Sequence, residues 1–113
     1  MKTSAPPEMK FLGKFGGTMA GTVHLTGDTP WEMHPRGDEC LYLLSGAADL
    51  LVEAAGRNRV TKLSAGGACV VPRGRWHRLL VREPCDLLFI TPTLGTRHRG
   101  DAGPATRAKP RVK

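Results

Sequence analysis

Two short stretches hold most of the residues able to do chemistry. Trp31-Glu32-Met33-His34-Pro35-Arg36-Gly37-Asp38-Glu39 offers carboxylates and an imidazole, and Arg73-Gly74-Arg75-Trp76-His77 offers a second imidazole. On an extended strand residues two apart face the same way, so Glu32 and His34 project together. Beyond the Pro35-Arg36-Gly37 turn, Glu39 heads a strand on which it shares a face with Leu41 and Leu43, and those leucines mark that face as interior. Asp38 competes for the same role, but strand parity puts it on the opposite face. His77 leads a similar pattern with Leu79 and Val81. Glu32, His34, Glu39 and His77 can therefore converge on one point inside an otherwise aliphatic interior.

Burying two carboxylates and two imidazoles without partners is very costly, and a divalent cation offsets that cost. Two nitrogens and two oxygens suit Fe(II), Mn(II), Ni(II) or Zn(II), rather than copper held by thiolates or calcium held by oxygen alone. His34, His77 and one carboxylate would also form the two-histidine, one-carboxylate face of non-haem iron enzymes. Against this stand plainer readings: Glu32 turned to solvent, and the two histidines as hydrogen-bonded structural residues.

Positioning these groups requires strands. Segments of strand length lie near residues 9–15, 19–25, 30–34, 39–45, 47–54, 58–63, 68–72, 76–82 and 86–91, and no run has helical periodicity. Turn residues separate them, among them Gly16-Gly17, Pro35-Arg36-Gly37-Asp38, Ser45-Gly46, Ala65-Gly66-Gly67 and Glu83-Pro84. Short strands with turn signals at this density indicate an all-β sandwich or barrel. Leu41-Tyr42-Leu43-Leu44 and Leu87-Leu88-Phe89-Ile90 are apolar at every position. Their outer face is expected to be covered either by a second subunit, giving a homodimer, or by the N-terminal segment Met9 to Phe15 of the same chain.

At 113 residues the chain suits one compact domain. Hydrophobic residues at 40% and charged residues at 24% are ordinary for a globular protein and exclude disordered or fibrous classes. No apolar run is long enough to cross a bilayer and residues 1–10 lack the apolar stretch of a signal peptide, so a cytoplasmic protein is expected. Cys40, Cys69 and Cys85 lack zinc-ribbon or redox-pair spacing and read as small hydrophobes on buried strands. Of the net charge of +7, the segment from Arg97 to Lys113 carries most, with six basic residues against Asp101. Residues 1–95 are therefore expected to form the folded domain and 96–113 a loosely held basic tail. No aromatic residues are interleaved with the tail's basic ones, which argues against specific nucleic-acid recognition.

The two motif stretches resemble the cupin family. Its first motif runs Gly, five residues, His-x-His, three or four residues, Glu, six residues, Gly. Here His34 stands for the second His, Glu39 follows after four residues and Gly46 after six more. Gly66, Pro72, Gly74 and His77 match the second motif, Gly, five residues, Pro-x-Gly, two residues, His, three residues, Asn. Departures are Glu32 at the first His, an opening Gly displaced by one to Gly27, and Val81 at the closing Asn. The resemblance spans about residues 15 to 95. It implies a single jelly-roll β-barrel, a double-stranded β-helix, with a metal held by His34, Glu39, His77 and, in place of the missing His, Glu32.

The family includes enzymes of several kinds, storage proteins and sugar-binding regulators, so the fold does not choose a reaction. One expectation is a mononuclear metalloenzyme of dioxygenase or isomerase type acting on a small organic substrate, with Glu32 as a fourth ligand or as a catalytic general base. The other is a noncatalytic module or sensor that binds a small molecule. His24 reads as a strand residue satisfied by a neighbour, and His98 has no supporting pattern. Trp31 and Trp76 face away from the site, in packing or interface roles. Arg73, Arg75 and Arg78 form a basic rim that is either solvated or able to draw an acidic substrate.

Overall fold

A computed structural model describes residues 8–99. They fold as eight strands: β1 (Glu8–Phe15), β2 (Thr18–Leu25), β3 (Glu32–Met33), β4 (Glu39–Ala54), β5 (Arg57–Ser64), β6 (Ala68–Val71), β7 (His77–Pro92) and β8 (Arg97–His98). All pairings are antiparallel. The sheet runs β1-β2-β7-β3-β8, and β4 lies against β7 and also pairs β5 and β6. No helix among the described residues is long and apolar enough to cross a membrane.

Two pairs of expected strands are fused. Segments 39–45 and 47–54 run on as β4, and 76–82 and 86–91 as β7, each 16 residues long. Turn residues within them make bulges instead of ends. The β4–β7 register shifts between Leu43 and Ala48, where Gly46 faces the Pro84 region. Pro84 gives up no ladder hydrogen bond at such a bulge, where an unpaired N–H is tolerated. Gly46 has φ +87°, and a Cβ there would stand 2.2 Å from the Pro84 carbonyl oxygen, so only glycine fits.

Along β4, Leu41, Leu43, Ala48 and Leu50 point inward and are buried, while along β7 Leu79, Cys85, Leu87 and Phe89 do the same. These residues, with Val23, Leu25, Leu63 and Val71, form one continuous core. Cys40 and Cys69 are half-buried, Cys85 is buried, and all three are free thiols.

Two expectations about covering need correction. The outer face of β4 is not covered by residues 9–15, because β1 hydrogen-bonds to β2 at the sheet edge instead. Tyr42, Leu44 and Val70 stay exposed there, beside half-buried Leu88 and Ile90. The boundary at residue 95 also shifts. Arg97–His98 is a strand paired with β3, and the Arg99 N–H donates to the Trp31 carbonyl (3.2 Å), so the folded unit extends through Arg99. Backbone pairing holds this segment although it has few apolar anchors. The remaining residues of the expected tail lie outside those described.

Candidate metal centre

Adjacent strand ends assemble the site. Glu32 on β3 lies directly across from His77 at the start of β7 and, on its other side, from His98 on β8. His34 follows β3, and Glu39 opens β4. Asp38, on the face away from the site as parity requires, accepts the Arg73 backbone N–H (2.8 Å) and so ties the turn before Glu39 to the turn before His77.

All four expected residues come together. Glu39 Oε1 lies 3.1 Å from His34 Nε2 and 3.1 Å from His77 Nε2. Glu32 Oε1 is 3.8 Å from His34 Nε2, and ligand atoms of Glu32, His34 and His77 all lie within 4.8 Å of one another. His34, Glu39 and His77 are buried, whereas the Glu32 side chain keeps 35% exposure at the rim. The two imidazoles stand 5.1 Å apart, tilted by 42°.

Both rings are held from behind. His77 Nδ1–H donates to the Arg75 carbonyl (3.3 Å), and His34 Nδ1 hydrogen-bonds the Thr96 hydroxyl (2.9 Å). Hydrogen bonds at Nδ1 aim Nε2 into the site, the arrangement that orients a metal-binding imidazole. Burial by itself pushes the Glu39 carboxyl up, but the His34 and His77 contacts outweigh it and hold its pKa near 2, against an ordinary 4.5. Burial works against the charged form of His77, yet the Glu39 carboxylate more than compensates and raises its pKa above 6.5.

Thr96 and His98 were not found from sequence. His98 Nε2 pairs with Glu32 Oε2 at 3.1 Å, so a residue expected in the tail braces the rim carboxylate. The usable signal was the Thr96-x-His98 alternation, which puts both on one face, with Arg97 and Arg99 on the other. On that opposite face the Arg99 guanidinium lies 4.4 Å from the Trp76 ring centroid and 5.2 Å from that of Trp31. It also grips the Glu53 carboxylate with two hydrogen bonds (2.8 and 3.0 Å). Trp31 and Trp76 thus pack away from the site, as expected. His24 pairs with Asp86 (2.8 Å) on the sheet surface, outside the site. Arg78 donates to the Thr29 carbonyl (3.1 Å) and lies over Trp31.

Beside the four residues a cavity of about 530 Å³ is lined chiefly by aliphatic side chains and Phe89, with Thr29, Thr91 and Thr96 as its neutral polar residues. The family model for the cupin domain matches residues 21–91, most of the described chain. The chain belongs to the cupin domain family. Solved structures share the architecture. A cupin-2 domain protein from Shewanella frigidimarina is 21% identical, with TM-score 0.64, over 81% of this chain and 84% of that one. A conserved protein of unknown function from Streptococcus pyogenes is 20% identical, with TM-score 0.67, over 80% and 76%. Oxalate decarboxylase of Bacillus subtilis, described with Mn(II) centres, is 21% identical with TM-score 0.72 over 85% of this chain, but this chain spans only 29% of its length. No curated protein matches the chain significantly in sequence. The all-β cupin jelly roll is therefore the fold, and its two long bulged strands, β4 and β7, bring both motif stretches to one end of the cavity.

Proposed function

We propose that this cupin holds one divalent transition metal ion through His34, Glu39 and His77, with Glu32 as a fourth ligand or a general base, and acts on a small organic molecule in the adjoining cavity. The observation that carries this reading is the convergence of two Nε2 atoms on one buried carboxylate oxygen. Donors bound side by side on a metal at about 2.1 Å lie about 3 Å apart, close to the spacing between each imidazole and Glu39. The donor set fits Fe(II), Mn(II), Ni(II) or Zn(II).

A bound ion would supply Lewis-acid polarisation of a substrate oxygen. The chain's own residues supply the rest. Glu39 and the two imidazoles would hold the ion at the place where the reacting end of the substrate lies, and the aliphatic walls keep water from it. Glu32, at the rim and braced by His98, is placed to take a proton there. Binding without turnover is the second reading, favoured by the small number of polar groups in the cavity. The exposed apolar face around Tyr42, Leu44 and Val70 further supports association with a second copy of the chain.

Elemental analysis of protein purified without chelator or histidine tag tests the metal. One ion per chain is expected, with none in His77→Ala. No metal in the parent after reconstitution would remove the metalloenzyme reading. A Glu32→Gln protein that keeps its metal but loses turnover would assign Glu32 as base, and one that loses its metal would assign it as ligand.

A further inference from the structure

We infer that the ligand of this site is a molecule with one neutral or singly charged oxygen head and an extended apolar body, rather than a compact dianion such as oxalate. This rests on the metal-site reading above for the head, and on the cavity alone for the body.

Charge decides against a dianion. Among the described residues no Lys or Arg lines the cavity. Two nearby guanidinium groups are engaged elsewhere: Arg78 by the Thr29 carbonyl and the Trp31 ring, and Arg99 by Glu53 and the two tryptophans. Glu39 and Glu32 already offset a divalent cation. A second pair of carboxylates would therefore be buried without compensation, which is strongly unfavourable.

The neutral polar groups of the walls are few and already partly engaged. Thr29 Oγ1 accepts the Leu79 N–H (2.9 Å), and the Thr96 hydroxyl is held by His34 (2.9 Å). Thr91 Oγ1 lies 3.5 Å from His34 Nε2, in the same corner as the candidate ligands. Apart from Thr29, the polar groups of the lining thus cluster with the candidate ligands. The remaining lining is formed by residues such as Met19, Val23, Leu25, Leu41, Leu79 and Phe89, and the whole cavity, at about 530 Å³, falls in the range that encloses a drug-sized organic ligand. Met9 lines it as well and is 62% exposed, so the apolar surface continues to an opening beside β1.

Titration calorimetry with acetate, butanoate, hexanoate, octanoate and oxalate, on the full chain with and without its metal, tests this. Affinity is expected to rise about fourfold per methylene until the cavity is filled, since each buried methylene contributes a constant increment. Oxalate is expected to bind no more tightly than acetate. Val23→Phe, which fills part of the cavity, is expected to move the levelling-off to a shorter chain at unchanged metal content. Oxalate binding more tightly than octanoate, or affinity independent of chain length in both forms, would overturn the inference. Length dependence in a parent chain that takes up no metal even after reconstitution would keep the apolar body and reject only the metal reading.

Discussion

Replacing Glu39 by Gln in chelator-treated protein should weaken how stability depends on pH on both sides of neutrality. In the parent chain Glu39 has a folded pKa near 2 against 4.5 when free. At about 1.4 kcal/mol per pH unit, that difference contributes roughly 3 kcal/mol of stability, present above pH 4.5 and lost as pH falls toward 2. His77, raised above 6.5 by the same contact, contributes stability that is full below pH 6.5 and is lost as pH rises through its folded pKa. Parent stability should therefore decline as pH rises above 6.5. In Glu39→Gln the carboxylate is gone, and only the Arg75 carbonyl and the Glu32 carboxylate remain to offset burial, so the His77 pKa falls from its parent value. The folded state then holds the His77 proton less tightly, so the loss of stability above pH 6.5 should be smaller than in the parent, and the loss between pH 4.5 and 2 that Glu39 causes should be absent. Urea titrations followed by Trp31 and Trp76 fluorescence at half-unit pH steps provide the measurement. Parallel curves for the two proteins would refute the claim that Glu39 holds the His77 imidazole in its charged form. Asp86 and Glu53, whose carboxyls are also held low by His24 and Arg99 respectively, are exposed and common to both proteins.

Gly46→Ala should cost at least about 3 kcal/mol, because its Cβ would meet the Pro84 carbonyl at 2.2 Å. Gly66→Ala, with φ +90° but open space around it, should cost only about 1–2 kcal/mol in thermal or urea unfolding. Arg99→Ala should weaken the hold on β8 by about 1 kcal/mol, chiefly through the lost stacking on Trp31 and Trp76, since the partly exposed Glu53 pair adds little. The Arg97 and His98 amides should then exchange several-fold faster, and unchanged rates would show that the clamp does not hold the strand. Sedimentation of the parent at twice the chain mass, and of Tyr42→Lys at the chain mass, would establish association through the exposed face; a monomeric parent would rule it out.

Several features were legible in residue order alone because they depend on local periodicity. Strand parity was enough to separate Glu39 from Asp38, to pair Glu32 with His34, and to turn Trp31 and Trp76 away from His34 and His77. The motif spacing around Gly46, Pro72 and Gly74 identified the fold family, since these positions answer backbone requirements that few residues meet. Other features depend on contacts between residues far apart in the chain. Ser45-Gly46 and Glu83-Pro84 read as ends of strands, and only their opposition across β4 and β7 makes them matching bulges. His98 carried no signal until β8 paired with β3, because its partner Glu32 is 66 residues away. The sequence thus determined which residues face inward, a consequence of the two-residue strand repeat. The tertiary structure decided which inward residues meet and where the arginines turn, because those outcomes depend on pairing across the sheet.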